Sequence, residues 1–196
     1  MEEDCYQKMY YPRRYYYGNC TGKLFSRNLH RQVTLNAIIP VGKFHMQGMP
    51  EREKKPFKTL YLLHGIFGNC TDWLNGTRIA HWAEARNLAV IMPSGENSFY
   101  VDHEKSGSMY GNYFGQELVE VTRELFPLSN KREDTFIAGL SMGGFGAVRT
   151  GLKYHETFSA IAGLSSGFVL EQSVNATYES PSIVGIVVIL NLYLAI

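Results

Sequence analysis

The densest chemistry in the chain sits at Gly139-Leu140-Ser141-Met142-Gly143, followed by Gly144 and Gly146. This run fits the G-x-S-x-G pattern, in which a serine is lifted out of a sharp strand-to-helix turn. Such a turn strains the serine backbone and leaves no room for side chains beside it, hence the glycines at 139 and 143. A hydroxyl raised at the start of a helix stands where main-chain N–H groups favour developing negative charge. The chemistry is nucleophilic, and Ser141 is its candidate nucleophile. The five-residue pattern recurs by chance, but here its flanks also fit, with strand-like 135–138 before it and helix-like 145–154 after it. No second cluster competes. Cys5, Cys20 and Cys70 lack metal-ligand spacing, so neither a metal nor a cofactor is expected, and free thiols in a reducing cytoplasm are expected rather than disulfides.

The elements needed to hold such a serine can be read around it. Val33, Leu35, Ala37 and Ile39 alternate with Thr34 and Asn36, which predicts a strand within 24–39, the second half of an antiparallel pair. Thr59-Leu60-Tyr61-Leu62-Leu63 is a continuous apolar run, as in a strand buried on both faces. A helix is expected over 78–86 with Ile79, Trp82 and Ala83 inward, then a short strand over 88–92. Phe114, Leu118, Val121 and Leu125 share a helical face with Glu117, Glu120 and Arg123 opposite, predicting a helix over 112–126 ended by Pro127. Strand 134–138, helix 145–153 and strand 158–164 follow. This alternation predicts the α/β class, a parallel sheet with helices on both faces.

Composition narrows the partners. The chain has 196 residues, 19 Lys+Arg against 18 Asp+Glu and 45% hydrophobic residues, which excludes a disordered tail or a fibrous repeat. A net charge of +1 supplies no field to gather nucleic acid or an anionic membrane. The start Met1-Glu2-Glu3-Asp4 is acidic and unlike a signal peptide, so a cytoplasmic protein is expected. Residues 1–21 hold six of the 13 tyrosines and read as a poorly ordered leader; 22–180 read as one α/β domain. The mixed-charge stretch 42–58 reads as a solvated loop. Residues 181–196 form an uncharged apolar tail, too short for the roughly 20 residues of a membrane helix.

Strand 59–63 runs into His64-Gly65-Ile66-Phe67-Gly68, which resembles the His-Gly loop of α/β-hydrolases. That resemblance implies two main-chain donors for an oxyanion, one from Met142 and the other from Ile66, with Phe67 the next choice. It also makes His64 a loop-structuring residue rather than a base. More broadly, about 24–167 resembles the esterase D-like branch of α/β-hydrolases, which includes tributyrin esterases, S-formylglutathione hydrolase, feruloyl esterases and mycolyltransferases. The matching residues are Tyr61 to Gly65 with Asp72-Trp73, Met92-Pro93-Ser94-Gly95 with Asn97-Ser98-Phe99-Tyr100, Gly139 to Gly146, and Phe158 to Gly167 with its Leu164-Ser165-Ser166-Gly167 end. The resemblance implies the α/β-hydrolase fold and acyl-ester hydrolysis through a Ser-His-Asp triad without metal or cofactor.

The remaining triad members do not follow. In this fold the order is Ser, then acid, then His, yet the only histidine after Ser141 is His155, ahead of Glu171 and Glu179. At about 1.5 Å rise per residue it would sit about 15–20 Å away at the far end of the helix. His103, beside Asp102, is a weaker substitute base. The expectation is therefore a truncated or frame-shifted esterase: Ser141 would form an acyl-enzyme with short-chain acyl esters, the triad His and Asp being absent from the chain. The alternatives are an impaired fragment or binding module of the same fold, an S-formylglutathione thioesterase, or an acyltransferase. The expected partner is a small acyl ester; a homo-oligomer is left open.

Overall fold

Two antiparallel strands, β1 (Tyr16–Ser26) and β2 (Arg31–Gly42), open the fold as a hairpin. The structure, a computed structural model, describes residues 16–42, 56–167 and 188–191. After the hairpin come β3 (Lys58–Leu63), α1 (Asp72–Gly76), α2 (Ile79–Arg86) and β4 (Leu88–Pro93). A small ribbon follows, β5 (Asp102–His103) with β6 (Ser108–Met109). Three consecutive helical stretches, Tyr110–Asn112, the π-helical Tyr113–Glu117 and Leu118–Leu125, then make up α3. The chain ends its described course with β7 (Thr135–Leu140), α4 (Met142–Lys153), β8 (Ala160–Leu164) and β9 (Val188–Asn191).

The seven-stranded sheet has the order β1-β2-β4-β3-β7-β8-β9. Its centre, β4-β3-β7-β8, is parallel, and antiparallel strands finish both sides. Apolar runs become central strands because a parallel sheet is covered on both faces. Along β3, Tyr61 and Leu63 pack with Phe114 and Leu118 of α3 and Ala147 of α4. Leu62, between them, packs on the other face with Ile79 and Ala83 of α2. Each Leu, Ile or Phe side chain among these contributes roughly 1.5–3 kcal/mol when fully buried. The fold is α/β, a mostly parallel sheet flanked by helices.

Several expectations change. Trp82, expected inside, is 49% exposed, because α2 is short and buries only Ile79 and Ala83. Leu125 is exposed and Val121 half-buried, whereas Val119, Thr122 and Glu117 are buried. The π-helical turn explains this: an added residue rotates the following face by about 100° relative to an α-helix. The leader boundary also moves, since Tyr16 to Thr21 pair with β2 as part of β1. Residues 1–15, 43–55 and most of the 181–196 tail lie outside the described residues; within that tail, Val188–Asn191 pair antiparallel with β8. No helix among the described residues is long and apolar enough to cross a membrane.

Candidate active site

β7 ends at Leu140 and α4 begins at Met142, so a single residue, Ser141, turns the chain. It does so with φ 55° and ψ −116°, in the left-handed half of backbone space that non-glycine residues rarely enter. Ser141 occupies the N-cap position of α4, where a serine usually accepts a hydrogen bond from the helix N–H groups. Here its side chain makes no capping bond. Neighbouring main chain fixes the conformation instead. Ser141 N–H donates to Leu164 O (2.9 Å), and Ser141 O accepts from Phe145 N–H (3.1 Å) and Gly167 N–H (3.0 Å). The ends of β7 and β8 and the first turn of α4 therefore meet at this residue.

Glycine at 143 is a geometric requirement. A Cβ there would lie 2.5 Å from both Leu63 O and His64 O, main-chain atoms that cannot move aside. That contact seats the elbow directly on the end of β3 and on the loop that follows it. The same loop reaches Ser141 from the other side, since a Cβ on Gly65 would be 3.7 Å from Ser141 Cβ. Of the two loop N–H groups considered as oxyanion donors, Phe67 N–H is already used, donating to Asn97 Oδ1 at 2.8 Å. Ile66 N–H and Met142 N–H make no hydrogen bond with the described residues. The arrangement offers a hydroxyl, a helix N-terminus and two main-chain donors on the segments that flank it, the parts that stabilise a tetrahedral oxyanion.

His64 is a fastener of this loop. It is buried, its Nδ1 pairs with Gly65 O (2.7 Å) and its Nε2 accepts Gly95 N–H (2.8 Å), which together define the Nδ1–H tautomer. Burial pushes its pKa below the usual 6.5, against the opposing pull of the Gly65 hydrogen bond and of Asp72. The other described histidines are remote in their bonding. His155 pairs with Glu156 Oε1 (3.0 Å) just past the C-terminal end of α4, and His30, His81 and His103 are exposed. None of the described histidines hydrogen-bonds Ser141. Among the described residues, no group of three His, Cys, Asp or Glu could hold a metal ion.

What the sequence left without a role is the segment after β4. Ser94 Oγ accepts Cys70 N–H (3.1 Å), Gly95 N–H reaches His64, Asn97 takes Phe67 N–H, and Tyr100 Oη donates to His64 O (2.8 Å). One loop thus holds three points of the 64–70 loop. Its own footing is Ser94 N–H on Thr34 O of β2 (2.9 Å) and an ion pair between Glu96 and Arg31 (2.6 Å), with Tyr110 Oη also donating to Glu96 (2.9 Å). The Asn97-Ser98-Phe99-Tyr100 run was visible as a resemblance, but nothing in its residue types announced a clamp.

Comparison with known proteins agrees with this geometry. The Esterase family model matches residues 29–180. An acetyl esterase from Caldicellulosiruptor saccharolyticus is 47% identical over 148 residues, covering 76% of this chain and 56% of that protein. Two Staphylococcus aureus structures, the fluorophosphonate-binding serine hydrolase FphF and the S-formylglutathione hydrolase FrmB, are each 30% identical with a TM-score of 0.69. Each comparison covers 84% of this chain and 63% of the other. The chain thus spans little more than half the length of the acetyl esterase and under two thirds of these structures. The elbow, the loop it rests on and these similarities agree, and the chain belongs to the Esterase family, with the α/β-hydrolase fold.

Proposed function

We propose that this chain carries the nucleophilic portion of a serine carboxylesterase for short-chain acyl esters. Ser141 Oγ attacks the acyl carbon; the carbonyl oxygen, now negative, accepts from Ile66 N–H and Met142 N–H. Collapse of that intermediate breaks the ester bond, releases the alcohol and leaves the acyl group on Ser141; water then returns it as the acid. The observation that carries this reading is the interlock of Gly143 with the carbonyls of Leu63 and His64, which joins the strained serine to the loop bearing the second donor. The acetyl esterase and S-formylglutathione hydrolase similarities support a small acyl group. The proton of Ser141 requires a base, and the described residues present none to it.

The test is hydrolysis of p-nitrophenyl acetate and butyrate by the chain beside Ser141→Ala. A serine esterase loses its rate in that variant; loss of the nucleophile typically costs several orders of magnitude in a complete triad enzyme. The absence of any described histidine bonded to Ser141 favours a second reading, a binding module of the same fold. Equal rates in the two proteins would select it.

A further inference from the structure

We propose that Asn97 is a positioning residue for the oxyanion loop, acting by choosing which way the Ile66–Phe67 peptide faces. This rests on the serine esterase reading above. Gly68 N–H bonds to Gly65 O at 3.2 Å, so Gly65 to Gly68 form a β-turn with Ile66 and Phe67 at its centre. Phe67 has φ 64°, whereas Ile66 is not among the residues with positive φ. A left-handed residue at the third position alone is the type II turn, and that position ordinarily calls for glycine. With a phenylalanine there, the unstrained choice is type I, in which the central peptide is turned over. Something outside the turn must hold the strained form.

Asn97 Oδ1 is placed to do so, as the acceptor of Phe67 N–H at 2.8 Å. In the overturned peptide that N–H points away and Ile66 C=O takes its place, facing an oxygen. The peptide concerned adjoins Ile66 N–H, the proposed donor, so its direction sets the dipole beside the oxyanion site. Packing of the ring does not supply the restraint, because Phe67 is 80% exposed. The clamp is itself anchored: its neighbour Glu96, also left-handed at φ 49°, is held by Arg31 and Tyr110. Asn97 therefore sits on a fixed loop and transmits that fixity to the turn.

The experiment measures two things in the full chain. Intact-mass spectrometry follows phosphonylation of Ser141 by a fluorophosphonate, in which Ser141 Oγ displaces fluoride, with Ser141→Ala as control. NMR follows the Ile66 Hα–Phe67 HN Overhauser effect, strong in a type II turn and weak in type I. Asn97→Ala is expected to weaken that effect and slow phosphonylation about fivefold to tenfold, the order of losing one weak hydrogen bond. Asn97→Asp keeps the acceptor and the type II signature. Adding Phe67→Gly to Asn97→Ala removes the strain and restores both the signature and most of the rate, a rescue that a merely structural loss would not show. An unchanged Overhauser effect in Asn97→Ala, a rate within twofold of the parent, or failure of the double variant to recover overturns the role of Asn97. A parent chain labelled no faster than Ser141→Ala overturns the serine reading instead, and the Overhauser comparison still decides the turn.

Discussion

A histidine whose two ring nitrogens are both engaged by main-chain groups has no free lone pair for proton transfer, and His64 is in that position. Its neutral form is the folded form, since protonating Nε2 would turn an acceptor into a second donor facing Gly95 N–H. With its pKa lowered by burial, the unfolded chain binds the proton more readily than the folded one. Stability contributed by neutral His64 is therefore present above the ordinary value of 6.5 and is lost as pH falls below it. Urea midpoints measured from about pH 8 to about pH 5 should fall through this window, and the part due to His64 should be missing in His64→Asn. The strained turn at residue 141 was legible in the sequence because it demands glycines at fixed offsets. The role of Asn97 was not, because its partner is a main-chain N–H thirty positions away, and every residue type but proline carries one.

At the scale of elements, α3 shows how a helix can be identified correctly and oriented wrongly. Its existence followed from the spacing of Phe114 and Leu118, both buried. Its π-helical turn, which no residue type marks, then brought Glu117 inward to the β1–β2 hairpin. There Glu117 accepts from Arg27 N–H (2.7 Å), Asn28 N–H (3.1 Å), Ser26 Oγ (2.8 Å) and Asn28 Nδ2 (2.8 Å). Burial alone would raise its pKa, but these donors outweigh it and hold the carboxyl below its usual 4.5. One acid thus takes two main-chain and two side-chain donors of the hairpin turn, whose Leu29 N–H bonds to Ser26 Oγ. Glu117→Ala leaves the buried Ser26 hydroxyl and the part-buried N–H groups of Arg27 and Asn28 without their acceptor and should cost about 2 kcal/mol, read as a lower urea midpoint. Glu117→Gln, which keeps one acceptor oxygen, should lose less.

For the molecule as a whole, the sequence predicted a mostly parallel sheet preceded by an antiparallel pair, and the structure has both, with antiparallel strands at its two sides. The first pair was legible because Val33, Leu35, Ala37 and Ile39 alternate with polar residues, as a strand with one covered face does. β9 lies along β8 from Gly163↔Val188 to Ala160↔Asn191 and covers a row of N–H and C=O groups that no other described strand pairs. A chain ended at Gly167 should therefore elute in size-exclusion chromatography as larger species than the full chain, through pairing of bare β8 edges. The seat of Gly143 on Leu63 and His64 has a further consequence during synthesis. The central strand β3 pairs with β7 as Thr59↔Thr135, so that edge of β3 waits on the ribosome while every residue between them is made. Ser141 follows β7 at once, and its turn can close only against the finished end of β3. The Ser141 hydroxyl and the loop proposed to hold its oxyanion should thus be brought together in one closing event.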